Sequence, residues 1–158
     1  VARTWCVGGG MGTALSCDLR IAAANTRFAV PAARLGLGYR FSGIRALVDV
    51  VGPANAREIF FTARKYSADE ALAMGLINRI LPEDGFDVAA TEYLAEIAGN
   101  APLTIKAARM AIRAVRQDPD ARDLEAVDAA IQACFDSEDY KEGRAAFAEK
   151  RAPVFKGK

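Results

Sequence analysis

Histidine is absent from this 158-residue chain. Without it, neither a Ser-His-Asp triad nor a Cys-His nucleophile pair can be assembled from these residues. Cysteine is scarce. Cys6, Cys17 and Cys134 lie far apart with no C-x-x-C between them, so no tetrahedral zinc site and no other metal is expected. Three thiols with no pairing pattern suit a reducing compartment, which points to a cytoplasmic protein whose cysteines are buried apolar fillers. A charge excess is missing too: 21 basic residues against 20 acidic ones leave +1. Nothing in that balance calls for nucleic acid or an anionic membrane as a partner. No apolar run approaches the ~20 residues of a membrane span, and Val1 to Val7 carry no signal-peptide pattern. The sequence also lacks an initial methionine and starts directly in a strand-like run, which reads as a fragment or a chain whose N-terminal part is not recorded.

What is present is ordinary globular material, 52% hydrophobic and 26% charged, enough for one domain with a core. The first third is β-rich and glycine-rich. VARTWCV predicts a buried strand ending at Gly8, and Gly8-Gly9-Gly10 a tight turn into the helix-compatible MGTALSCDL. Asp18 to Ala24 and Arg27 to Pro31 read as short strands, and Ala33 to Gly43 as an irregular loop. Ser42 is expected to cap a helix from Gly43 to Val51, stopped by Gly52-Pro53, with a second helix running from Pro53 to Ala63. Ser67-Ala-Asp-Glu70 is a capping box, opening a helix that ends at Gly75. Leu76 to Pro82 reads as a strand. Helices follow over about Asp87–Ala98, Pro102–Arg116, Ala121–Phe135 and Glu138–Lys150. Leu124, Val127, Ile131, Cys134 and Phe135 recur at helical spacing and form an apolar stripe that a neighbouring subunit would cover.

The strand–Gly8-Gly9-Gly10–helix corner carries the most chemistry. A helix N-terminus presents unpaired N–H groups and positive dipole charge, and glycines let a ligand oxygen come close to the main chain. Such a corner suits an anion, or an oxyanion developing on a carbonyl; it equally suits a close-packed turn that binds nothing. Nucleotide motifs fail here. A G-x-G-x-x-G fingerprint from Gly8 meets Thr13, one from Gly10 meets Leu15, and the Gly-Lys of a P-loop occurs only at Gly157-Lys158.

Four stretches in order, GGGMGTALSCDLRIAAANTRFAVPAARLGLG, RKYSADEALAMGLINRILP, NAPLTIKAARMAI and SEDYKEGRAAFAEKRAPVFKGK, together resemble the enoyl-CoA hydratase/isomerase (crotonase) family. The resemblance implies an α/β fold: part of a ββα spiral over residues 1–66 with the oxyanion glycine turn. A helical C-terminal region over 67–158 would follow, serving oligomerisation and the acyl-CoA pocket. It implies an acyl-CoA thioester as partner, coenzyme A entering as part of the substrate with no separate cofactor, and a homotrimer or dimer of trimers. It assigns one oxyanion N–H to Gly9 and places the second upstream of this sequence. Gly8, Gly10, Pro31 and Leu35 are the substrate-binding positions it marks near the turn, and Phe155, Lys156 and Lys158 the tail residues that would meet the CoA nucleotide; a solvated, frayed tail is the competing reading. Tyr39, with Arg40 and Ser42, lies where the active-site loop is expected, and Tyr39 is the candidate weak acid; an ordinary loop residue is the alternative.

Two departures stand out. The positions where typical hydratases carry catalytic glutamates hold Gly12 and Ala32, and neither can orient water or move a proton. Enolate stabilisation alone, as in decarboxylation of a malonyl-type thioester, fits these residues. So does a non-catalytic CoA-binding or oligomerising module, or a truncated product with no function. Asp18, Asp49 and Glu58 read as structural charges, and Arg109, Arg113 and Arg116 as a solvated helix face.

Overall fold

The computed structural model describes residues 1–158. It is mixed α/β and mostly helical, with two compact units, Val1–Thr91 and Glu92–Lys158. That division falls within a helix.

The first unit holds all the strands: β1 (Trp5–Val7), β2 (Ile21–Ala23), β3 (Arg27–Ala29) and β4 (Arg79–Leu81). They pair in parallel as β1 with β3 and β2 with β4. The N-terminal segment serves both sheets. Ala2 bridges Ala22 in parallel, and Trp5–Val7 then runs along β3. Between them Thr4 takes φ 72°, so the chain turns there from one sheet to the other. The expected strand Val1–Val7 is therefore broken at Thr4, and the other expected strands shrink to three residues each. β2 is buried on every residue, as a strand inside a parallel sheet must be.

Helix α1 (Gly9–Leu15) leaves β1. Helix α2 (Phe41–Thr62) is two helices joined at a kink: Gly52, with φ 76° and ψ 166°, is non-helical, so the break expected at Gly52-Pro53 is present. α2 begins at Phe41, without a side-chain cap, rather than at Gly43 capped by Ser42. The Tyr39 ring lies so close over Gly43 that an added Cβ would be 2.7 Å from its Cε1. Helix α3 (Ala68–Ala73) starts at the Ser67–Glu70 capping box, complete in both directions at 3.2 and 2.8 Å. Met11, Phe28, Leu47, Ile59, Tyr66 and Leu76 sit at the centre of the core, each 1% exposed. Burial of such side chains stabilises by about 1.5–3 kcal/mol apiece. The Tyr66 hydroxyl is paired with Thr62 Oγ1 at 2.9 Å, so its burial leaves no polar atom orphaned.

Helix α4 (Phe86–Ala98) begins in the first unit. The second contains α5 (Pro102–Val115), α6 (Leu124–Phe135) and α7 (Glu138–Glu149). α6 starts after the expected Ala121, because Pro119–Ala121 forms a separate 3₁₀ turn and the Asp123 carboxylate caps Ala126 N at 2.9 Å. α5 turns its small Ala107 and Ala114 inward, which lets α6 approach closely. Of the α6 stripe only Val127 is buried; Leu124, Ile131 and Phe135 are exposed and Cys134 is half-buried. No helix is long and apolar enough to cross a membrane.

Candidate active site at the glycine turn

Parallel pairing decides what meets at the end of β1. Val7 is in register with Ala29, so β1 and β3 finish side by side. From the first, the chain enters Gly8 and α1; from the second, it passes through Val30 into a 3₁₀ turn over Pro31–Arg34. The carboxyl ends of adjacent parallel strands are where α/β folds build ligand sites.

Gly8 has φ 54° and ψ −112°, a conformation open only to glycine. Its N–H donates to the Ala29 carbonyl at 3.1 Å, and its carbonyl accepts the first α1 bond, from Gly12 N at 3.2 Å. The N–H groups of Gly9, Gly10 and Met11 consequently have no acceptor inside the helix. Met11 is buried and anchors the turn; Gly9, Gly10 and Gly12 are exposed. A Cβ built at Gly9, Gly10 or Gly12 meets no atom of the chain within 4 Å. Packing therefore accounts for Gly8 through its φ alone and leaves the other three glycines without a steric cause.

The second wall is the Pro31–Leu35 turn. Ala32 is 5% exposed and belongs to the core, and its carbonyl collects the N–H groups of Leu35 and Leu37 at 3.1 and 3.0 Å. Leu35 and Leu37 project outward, 71% and 59% exposed. Gly8, Gly9, Gly10, Pro31 and Leu35 thus belong to one end of the β1–β3 pair. Tyr39 is employed differently. Its ring meets Phe60 edge-on at 5.1 Å and covers Gly43 on α2. A separate cavity of about 550 Å³ opens beside β1 and α1, lined by Trp5, Cys6, Gly10, Met11 and Cys17 among others. Cys6 is buried there, and burial pushes its thiol pKa up, which makes it a poor nucleophile.

Phe155 and Lys158 lie in the second unit, and the tail there is not frayed. Asp139, 4% exposed in the first turn of α7, accepts the N–H groups of Lys156 and Gly157, each at 2.7 Å. Its own N–H donates to the Lys158 carbonyl at 3.1 Å. Glu142 accepts Val154 N at 2.9 Å and takes Arg151 bidentately at 2.6 and 2.9 Å. Arg151 and the Val154 N–H hold the Glu142 carboxyl down to about 2. Sequence reasoning misses Asp139 and Glu142 because their partners lie 12 to 18 residues along the chain, beyond any local pattern. Phe155 lines a groove of about 790 Å³ bounded by α5, α6 and α7, with Ala107, Ile131, Cys134 and Phe147 on its walls.

Short parallel strands ending together at a glycine turn, with helices completing the chain, define a mixed α/β protein whose candidate site is built from main-chain groups. The family model for enoyl-CoA hydratase/isomerase matches residues 3–158, and the chain belongs to that family. Among its relatives, the short-chain-enoyl-CoA hydratase of Clostridium acetobutylicum is 39% identical over 146 residues, covering 92% of this chain and 56% of the relative. The carnitinyl-CoA dehydratase of Salmonella typhi is 36% identical over 155 residues, covering 96% and 59%. The crystal structure of an enoyl-CoA hydratase/carnithine racemase from Magnetospirillum magneticum superposes with a TM-score of 0.88 at 35% identity, over 98% of this chain and 57% of that one. The chain thus spans less than two thirds of these relatives' length.

Proposed function

We propose that this chain handles acyl-CoA thioesters and stabilises a thioester enolate through backbone N–H groups, Gly9 supplying one of them. The observation that carries this reading is the Gly8–Gly10 corner. A positive-φ glycine pinned to Ala29 leaves exposed N–H groups beside the Pro31–Leu35 turn, with glycines that packing does not require. Two such donors aimed at a developing oxyanion contribute more when fixed in place than when they must reorganise. Gly8, Gly10, Pro31 and Leu35 line the acyl end. Coenzyme A arrives as part of the substrate, and no further cofactor is invoked. The names of the relatives, a hydratase and a dehydratase of CoA thioesters, support that substrate class.

Gly12 and Ala32 favour a particular reaction. With no carboxylate at either position, a step that needs no base fits best: in a malonyl-type thioester the C–C bond to the carboxylate breaks and CO₂ departs. The bonding pair becomes the enolate, which the N–H groups hold until a proton reaches the α-carbon. Tyr39 is a weaker candidate for that proton, because its ring is engaged with Phe60. Residues 1–66 would form part of a ββα spiral, since alternate strands pair in parallel, β1 with β3 and β2 with the later β4. The exposed apolar stripe of α6 would be covered in a homotrimer or dimer of trimers. A cytoplasmic location goes with the free cysteines.

The test is a panel of crotonyl-CoA, malonyl-CoA and methylmalonyl-CoA given to the purified protein, with binding measured by calorimetry. Decarboxylation exceeding hydration is expected. Strong crotonyl-CoA hydration overturns the decarboxylase reading. Binding without turnover of any thioester moves the protein to a non-catalytic CoA-binding module.

A further inference from the structure

The groove of about 790 Å³ between α5, α6 and α7 has no part in the glycine-turn chemistry and lies wholly within the second unit. Its walls are apolar. Ala107 and Ala111 leave space on the α5 side, Ile131 and Phe135 line it from α6, and Phe147 from α7. Its shape is fixed by the chain itself. Phe155 rests against Gly143, where an added Cβ would be 3.5 Å from the ring, and Asp139 holds the tail beyond it through Lys156 N and Gly157 N at 2.7 Å each. A preformed apolar cleft of this size suits a small ligand, which then loses little to ordering the protein.

Charge narrows the choice of ligand. Of the residues around the groove only Asp139 and Arg144 are charged. The Asp139 carboxylate is buried and occupied by the tail N–H groups. Arg144 is exposed, and its guanidinium carbon lies 5.7 Å from the centre of the Tyr140 ring. Tyr140 in turn meets Phe135 edge-on at 5.6 Å, so an aromatic wall leads from α6 to the cation. No carboxylate neutralises Arg144, because the other acids of α7 are engaged elsewhere: Glu138 with Lys141, and Glu142 and Glu149 both with Arg151, each at 2.6 Å. A guanidinium beside apolar walls attracts a carboxylate more strongly than one in open water. One such cation matches one negative charge; a polyanion would find no second partner on these walls.

We propose that this groove binds an unbranched hydrocarbon chain ending in a carboxylate, a free fatty acid, with Arg144 pairing the head. The α5 wall runs from Ala101 to Ala111, about 15 Å of helix, which an extended chain of about twelve carbons spans. Neither coenzyme A nor the glycine turn takes part. Leu124, the first residue of the α6 stripe, lies outside the groove, so a subunit contact there does not compete with the ligand.

The test uses the full chain with octanoate, decanoate and dodecanoate below their micelle-forming concentrations, and 1-decanol as the uncharged counterpart. Binding is read by calorimetry and by thiol labelling: half-buried Cys134 lies on the groove wall, and exposed Cys17 in the first unit is the internal control. Saturating dodecanoate should slow Cys134 labelling about tenfold by mass action and leave Cys17 unchanged. Kd should fall about threefold with each added methylene. Arg144→Gln should weaken decanoate about fivefold, the worth of an exposed ion pair, and leave 1-decanol unchanged, while Arg144→Lys keeps most of the affinity. If Arg144→Gln does not fold, salt decides the head group in the parent, where the advantage of decanoate over 1-decanol should shrink as ionic strength rises. Unprotected Cys134, or equal protection of Cys17, overturns the site. Equal loss of decanoate and 1-decanol in Arg144→Gln, or an advantage indifferent to salt, overturns the role of Arg144. A ligand-free oligomer in which Cys134 is already shielded gives the groove to a second copy of the chain and overturns the proposal. No readout involves a CoA thioester, so the result stands apart from the reading of the glycine turn.

Discussion

Gly8 donates its main-chain N–H to the carbonyl of Ala29 at 3.1 Å, immediately beyond the register pair of Val7 with Ala29. This one bond ties the departure of α1 to the departure of the Pro31 turn. It uses the Gly8 donor for structure and leaves the next ones, on the exposed Gly9 and Gly10, without an acceptor inside the helix. The four glycines of the region therefore divide into one that the fold requires and three that it does not.

That division is measurable. Gly8→Ala forces a side chain into φ 54°, a strain of about 1–3 kcal/mol, and urea unfolding should show a loss of that size. Gly9→Ala meets no atom of the chain, so its stability should stay within about 0.5 kcal/mol of the parent, while its affinity for a CoA thioester falls. Equal destabilisation by both variants would mean that Gly9 is a packing residue.

Gly12 and Ala32 differ in the same way. Gly12→Glu adds a side chain in open, exposed space and should be tolerated within about 0.5 kcal/mol. Ala32→Glu starts from a core position that is 5% exposed, and forcing a carboxylate in should cost about 1–3 kcal/mol or more. Thermal melting of the two single variants checks the order. A32E as stable as G12E would place an accessible, polar space beside Ala32.

Thiol labelling reads the burial of the three cysteines. Cys17 is exposed and should react first with an aromatic disulfide reagent. Half-buried Cys134, on the groove wall, should follow more slowly. Cys6 should react only on unfolding, being buried with its thiol pKa pushed up by that burial. Early labelling of Cys6 in the native protein would mean that the cavity beside β1 opens readily.

Local chemistry made much of this fold legible, and distant contacts hid the rest. Ser67 and Glu70 announce their capping box in four consecutive residues, and the structure closes both of its bonds. Gly52-Pro53 likewise marks the kink in α2. Ser42 reads as a cap, but α2 starts at Phe41 without any side-chain cap. The glycine turn was visible as a motif, but its relation to Pro31 depends on β1–β3 register, which no local pattern encodes. Sequence alone leaves the tail open between ligand contact and fraying, since Asp139 reaches donors 17 and 18 residues away.

Acid should release the tail in a defined order. The Glu142 carboxyl sits at about 2 against an ordinary 4.5, held there first by Arg151, then by the Val154 N–H, with Lys156 adding to the effect and burial opposing it. Glu149 shares Arg151, and the Asp139 carboxylate is one turn away. Because the folded value is the lower one, protonation favours the unfolded or detached tail. The contribution is therefore complete above about 4.5 and is lost as pH falls from there through about 2. Melting of the parent and of Glu142→Gln should differ most near neutral pH and converge towards the acid end, with Val154 amide exchange quickening over the same interval in the parent alone. A difference that stays constant down to the acid end would mean that Glu142 contributes through shape and not through its charge.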